Sequence, residues 1–304
     1  MPVAFSQLSV RERGARKGGR VVPAYDTSGR DTIDGQGRVL LLVHGYNNSV
    51  DVALRSFSSF VASLERLAAR PSLPWTIFGV HWPGDERNAI VSLFSYSGKI
   101  AVSRTSAASL FDYLKSRHGP AGAPMAINIV AHSLGNRLTL ELVEQFRAAA
   151  SATDAPNVVL ERLVLMAAAV PEFRVEERGS LRPAVQFARG TCVLHSTGDK
   201  VLQLAFPPGQ TVGGDGFFPT AVGRYGHPAR AWQQELAMAD TSRSPAKKYG
   251  HSAYWPGRES AAAAAAFLGL PVAHDLPAHA LEAHEWPESH HIPARTLEER
   301  ESFF

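Results

Sequence analysis

The run Ile127-Asn128-Ile129-Val130-Ala131-His132-Ser133-Leu134-Gly135-Asn136 carries the most reactive possibility in this chain. A β-branched stretch ends at a serine set between small residues, and a helix-forming segment follows. A sharp strand-to-helix turn of this kind lifts a serine hydroxyl above the end of a sheet, where it can attack a carbonyl. The usual pattern is Gly-x-Ser-x-Gly, and here Ala131 stands at the first glycine. Small neighbours are required because the turn is strained and packs closely on adjacent backbone. A serine that only caps the following helix would show the same five residues. The case for Ser133 as a nucleophile therefore rests on partners elsewhere.

A neutral serine is a weak nucleophile, so it needs a base, and the base needs an orienting acid. Where the serine sits on a strand-turn-helix elbow, the acid follows it in the chain and the histidine comes last. Ser196-Thr197-Gly198-Asp199 follows the apolar run Thr191-Cys192-Val193-Leu194-His195, which puts Asp199 at the expected acid position. The competing role for Asp199 is to cap a helix starting at Lys200. Glu172, in Val170-Pro171-Glu172-Phe173, is the alternative acid, and Asp215 in a glycine-rich stretch is a weaker one. His251, in Tyr249-Gly250-His251-Ser252-Ala253-Tyr254-Trp255, lies on a short loop before the last helix and is the expected base. His227 precedes Pro228 in a variable loop, and His195 ends a strand ahead of the acid. His132 is expected to shape the elbow.

The negative charge that develops on an attacked carbonyl needs backbone donors. One is expected from Leu134, the residue after the serine. The other is expected from Tyr46, in the turn Val43-His44-Gly45-Tyr46-Asn47-Asn48 after an early strand. Trp82, Phe217, Phe218, Tyr254 and Trp255 fall in loops near these blocks and are candidates for an acyl pocket.

Positioning these residues requires a sheet. Val39–Val43, Trp75–Val80, residues 126–131, Val158–Met166 and Thr191–His195 read as strands that are apolar throughout. Helical spacing separates them, at Val52–Leu67, about 100–117, 135 to about 150, and 260–268. Alternating strands and helices with fully apolar strands predict a mostly parallel sheet covered on both faces. Ligands of such sheets sit beyond the carboxyl ends of the strands, where Ser133 falls. Residues 231–239 fit helix or strand equally. The division expected is a loose tail over 1–20, one α/β domain over 21–270 with a long loop and possible lid at 205–230, and an irregular tail over 271–304.

Composition narrows the function classes. The net charge is +3, charges are interspersed, and no basic-aromatic stripe is present, so no nucleic-acid partner is expected. One cysteine, Cys192, excludes an intramolecular disulfide. No window nears ~18 apolar residues, so no membrane span is expected. The first residues lack an apolar signal core, which makes the cytoplasm the expected location. His274, His279, His284, His290 and His291 lack metal-site spacing and accompanying cysteines, so neither metal nor cofactor is expected.

Four blocks in order, Leu42-Val43-His44-Gly45-Tyr46-Asn47-Asn48, His81-Trp82-Pro83, Ala131-His132-Ser133-Leu134-Gly135-Asn136 and Gly250-His251-Ser252-Ala253-Tyr254, resemble the α/β-hydrolase superfamily. More closely, they resemble a bacterial esterase/lipase-like family. The resemblance implies a strand at Leu236-Ala237-Met238-Ala239-Asp240 before the histidine loop, and it supports the Asp199 loop. Where that family often carries an aspartate after the preceding strand, this chain has Glu172. The implied activity is hydrolysis of a small-molecule carboxylic ester through an acyl-enzyme. Lipase or phospholipase, amidase and acyltransferase activities use the same three residues, and a non-catalytic binding protein is the different class.

Overall fold

The computed structural model describes residues 5–27, 32–69, 72–85, 92–119, 123–226, 232–236 and 248–271. Eight strands form one sheet in the order β2-β1-β4-β3-β5-β6-β7-β8. They are β1 (Ser6–Arg11), β2 (Val21–Asp26), β3 (Arg38–Val43), β4 (Thr76–His81), β5 (Met125–His132), β6 (Val158–Met166), β7 (Gly190–His195) and β8 (Trp232–Glu235). Only the β1–β2 pair is antiparallel. The helices are α1 (Val50–Leu67), α2 (Ser92–Arg117), α3 (Gly135–Ala149), α4 (Arg182–Phe187), α5 (Lys200–Leu204), α6 (Phe206–Val212), α7 (Val222–Tyr225) and α8 (Arg258–Phe267).

The central strands are continuous apolar runs because both faces are covered. Val39 to Val43 of β3, and Ile129 to Ala131 of β5, are buried along their whole length. Helix α1 turns Ala53, Phe57, Phe60, Val61 and Leu64 inward at helical spacing, and Ser49 caps its start by accepting from the Val52 N–H. In register, Val43 lies beside Ala131 and Ala131 beside Leu165. His132 lies beside Met166, and Met166 beside Leu194. The carboxyl ends of β3, β5, β6 and β7 therefore open side by side onto one rim.

Four expectations change. Of the tail expected over 1–20, residues 5–20 are not loose: β1 lies inside the sheet between β2 and β4, with Leu8 and Val10 buried. Its polar letters hide this, because Arg11 is also buried, paired with the Asp85 carboxylate and bonded to the carbonyls of Gly18 and Trp82. Edge strand β2 carries Pro23, which suits a position without a second neighbour. Of the loop expected over 205–230, the described residues 205–226 are not one long loop, because they contain α6 and α7. The strand before the histidine loop is Trp232–Glu235, ahead of Leu236; residues 237–240 lie outside the described residues, as do His227 and 272–304. Helix α2 also begins at Ser92, well before residue 100.

Candidate active site

Strand β5 ends at His132, and Ser133 takes a backbone φ of 54°, the left-handed region that a non-glycine residue enters only when its surroundings hold it there. The hold is visible. The Ser133 N–H donates to Met166 O at 3.0 Å, and Ser133 O accepts from Ala169 N–H at 3.2 Å. Asn136, fully buried on the first turn of α3, donates its side-chain amide to Ser133 O at 3.0 Å and to Met166 O at 2.9 Å. Gly135 is required by close approach: a Cβ there would stand 2.4 Å from His44 O. Gly45 is required likewise, since a Cβ would stand 2.7 Å from the Ser133 Cβ.

Three side chains from three loops form one hydrogen-bonded line. Ser133 Oγ lies 2.9 Å from His251 Nε2, and His251 Nδ1 lies 2.8 Å from Asp199 Oδ2. Ser133 is 5% exposed, the His251 side chain 18% and the Asp199 side chain 0%, so water reaches the line at the histidine and not at the acid. The two positions weighed for Asp199 are compatible. Its Oδ1 caps α5 by accepting from Leu202 N–H at 3.0 Å, while Oδ2 faces the imidazole. A capped carboxylate is fixed in direction and can hold one imidazole tautomer. Glu172 stands apart on a single 3₁₀ turn, and its N–H donates to Thr220 O. Its carboxyl is raised above the usual range by partial burial and by Glu176. Asp215 is committed to ion pairs with Arg137 and Arg174.

The loop bearing His251 is anchored at both ends. Ser196 Oγ donates to Tyr249 O at 2.9 Å, tying it to the acid loop, and Tyr249 Oη donates to Glu259 at 2.5 Å. His132 supplies a further tie. Its Nε2 lies 2.8 Å from His251 O, and its ring sits 4.9 Å from the His251 ring. Burial first, and then His251, push its pKa down to about 3, so it stays neutral and donates through Nε2–H. The carbonyl it meets is 119 residues away in sequence, so the sequence signalled proximity to Ser133 but not this partner.

The turn after β3 is held by equally specific contacts. Trp82 Nε1 donates to His44 O at 2.8 Å, and the Trp82 ring stacks on His44 at 5.7 Å. Asn47 N–H donates to Gly84 O, and Arg11 reaches both Trp82 O and Asn48 O. Trp82 is thus a buried support and not a pocket wall. Tyr254 and Trp255 are also buried; Trp255 packs edge-on against Phe57 and Phe60, fixing the histidine loop to α1. Phe217 and Phe218 are the opposite case, 86% and 58% exposed. Neither group has the half-open geometry of a pocket lining. At the other side of Ser133, the Leu134 N–H finds no acceptor among the described residues and sits at the open start of α3.

A mostly parallel sheet with helices on both faces, with a serine on the turn after β5, an aspartate after β7 and a histidine after β8, defines an α/β hydrolase fold. The chain belongs to the family described as alpha/beta hydrolase of unknown function (DUF900), whose model matches residues 29–208. Among solved structures it is similar to an Agrobacterium vitis S4 protein assigned as a hydrolase, at 13% identity and a TM-score of 0.39, over 82% of this chain and 92% of that one. It is also similar to Zea mays acyl-protein thioesterase 2, at 12% identity and a TM-score of 0.35, over 82% and 92%. No curated protein matches the chain. Among the described residues no helix is long and apolar enough to cross a membrane.

Proposed function

We propose that this hydrolase cleaves carboxylic esters of small or medium acyl groups through an acyl-enzyme on Ser133. The observation that carries the proposal is the continuous line from Asp199 through His251 to Ser133, at 2.8 Å and 2.9 Å. In this reading His251 Nε2 takes the proton from Ser133 Oγ as the oxygen bonds to the ester carbon. The imidazolium then gives that proton to the leaving alkoxide as the C–O bond breaks. Water then bonds to the acyl carbon, losing a proton to the same nitrogen, and the imidazolium returns that proton to Ser133 Oγ as the acyl–serine bond breaks and the acid leaves. Asp199 holds Nδ1–H toward itself and stabilises the transient cation. The N–H groups of Leu134 and Tyr46 are the proposed donors to the oxyanion, and the N-terminal end of α3 adds a favourable potential there.

Short p-nitrophenyl esters test the assignment. Ser133→Ala and His251→Ala remove turnover, and Asp199→Asn lowers kcat by about 10⁴-fold because the imidazole loses its fixed tautomer. Glu172→Gln retains near-wild-type rates. The reverse ranking of Asp199→Asn and Glu172→Gln would move the acid to Glu172. Complete inertness of the wild type toward esters, together with ligand binding, would favour the non-catalytic class.

A further inference from the structure

Buried cations from two elements that carry no member of the Asp199–His251–Ser133 line converge on the loop after β4. Lys99 of α2 donates through Nζ to Pro83 O at 3.1 Å and to Asp85 O at 2.8 Å. Arg11 of β1 donates to Trp82 O at 2.7 Å and pairs with the Asp85 carboxylate at 2.6 Å. Both side chains are buried. Taking such charges out of water is costly unless their donors are used, and carbonyls just past a strand end lack a ladder partner. The loop itself is tight. Gly84 N–H donates back to Trp82 O at 2.8 Å, and a Cβ on Gly84 would stand 2.5 Å from the Trp82 ring. The cations thus hold a loop already folded over its own indole.

That loop is bonded to the 44–48 turn. Trp82 Nε1–H donates to His44 O at 2.8 Å, Trp82 N–H to His44 Nε2 at 3.3 Å, and Asn47 N–H to Gly84 O at 2.9 Å. The middle bond requires an unprotonated Nε2. Burial first, then His81 and Arg11, push the His44 pKa well below the usual histidine range, so the ring is neutral. Its one proton sits on Nδ1 and is donated to Gly45 O at 2.9 Å, which leaves Nε2 as the acceptor. These bonds fall at residues 44 and 47, on either side of Gly45 and Tyr46. The Tyr46 N–H is therefore tied on both sides to the 82–85 loop.

We infer that Lys99 is a positioning residue for ester hydrolysis: with Arg11 it clamps the 82–85 loop as a brace that holds the 44–48 turn and aims the Tyr46 N–H at the oxyanion. The inference rests on the proposed ester chemistry and on Tyr46 as a donor in it. A loosened loop carries that donor out of line, and the charged transition state feels the change more than the neutral ground state does.

The test is steady-state hydrolysis of p-nitrophenyl acetate by Lys99→Met, with competent sites counted by fluorophosphonate titration to completion, so that unfolded protein is not read as a slow enzyme. Per competent site, kcat falls by about 10–100-fold, part of the ~10²–10³ that a lost oxyanion donor costs, while KM stays within about twofold. Trp82→Phe keeps a ring against His44 and drops the Nε1–H bond, so it lowers kcat in the same way. Lys99→Met/Trp82→Phe loses little more than the slower of the two single variants, because both act through one turn. Lys99→Met/His132→Phe multiplies its two losses, because His132 supports His251 from the other side. Where Lys99→Met does not fold, Trp82→Phe decides: a kcat loss at constant KM supports the brace, and an unchanged kcat overturns it. Unchanged kcat per competent site in folded Lys99→Met, a loss that falls on KM, or losses that multiply between Lys99 and Trp82 would each overturn the inference while the wild type remains active. A wild type inert toward the ester would contradict the proposed chemistry itself, and the inference would fall with it.

Discussion

At the scale of single residues, the site is a set of groups whose freedom has been removed. Ser133 is pinned in a left-handed conformation by Asn136 and Met166, and Asp199 is aimed by its capping bond to Leu202. His251 gains from His132 a bond to its own backbone carbonyl. That bond makes His132 a positioning residue. His132→Phe keeps the ring packing but removes the donor, so kcat falls on the order of 10²-fold while KM changes less. His132→Gln, which restores an N–H, recovers part of the loss. Equal kcat in His132→Phe and wild type would show that the loop is held without this bond. At Gly45 the constraint is space. Gly45→Ala pushes a methyl against Ser133, displaces the turn bearing Tyr46, and lowers kcat by about 10²–10³-fold with the fold retained by circular dichroism.

At the scale of elements, the supports of the site come from places the chemistry does not advertise. Arg11 of β1 lies 2.6 Å from Asp85 in a buried ion pair, and it reaches the carbonyls of Gly18, Trp82 and Asn48. Arg11→Met leaves Asp85 without its guanidinium and costs about 3–5 kcal/mol in denaturant unfolding. A cost within ~0.5 kcal/mol would mean that another group satisfies Asp85. Removing residues 1–12 opens the sheet between β2 and β4 and yields insoluble protein, which a dispensable tail would not do. This contrast shows what was legible in the chain. Strands β3 to β7 and helices α1 and α3 were readable because their burial is written as apolar runs or helical spacing. So were Ser133, Asp199 and His251, because strand ends and turn residues mark them. Strand β1 was hidden because its buried positions include Ser6, Ser9 and Arg11, and Arg11 finds Trp82 and Asp85 far along the chain. Trp82, Tyr254 and Trp255 were misplaced because a loop aromatic reads alike whether it lines a pocket or holds a loop down. The helices α6 and α7 were missed because Pro207, Pro208 and several glycines read as breaks.

At the scale of the whole molecule, the interior carries a cost in acid. His44, His81 and His132 are buried. Burial, reinforced by neighbouring His81 and Arg11, pushes His44 well down, and burial with Arg11 pushes His81 down to about 3. His132 is pushed down to about 3 as well. A histidine whose folded pKa lies below its unfolded value of ~6.5 takes up its proton only on unfolding between those values. Stability is therefore full above ~6.5 and falls with pH down to about 3, by at most about 1.4 kcal/mol per pH unit for each histidine. The melting temperature should drop steeply from pH 7 to pH 4. His81→Leu should flatten that slope, since neither His81 ring nitrogen finds a partner among the described residues. Parallel curves for variant and wild type would place the acid sensitivity elsewhere. Above this sensitive range the line from the buried Asp199 through His251 to Ser133, the proposed nucleophile, is intact. The most direct test of that central claim is peptide mass mapping after treatment with a fluorophosphonate. One covalent adduct on Ser133 is predicted, absent in Ser133→Ala and slowed in His251→Ala. No adduct on the wild type, or an adduct on another serine with ester hydrolysis surviving in Ser133→Ala, would contradict it.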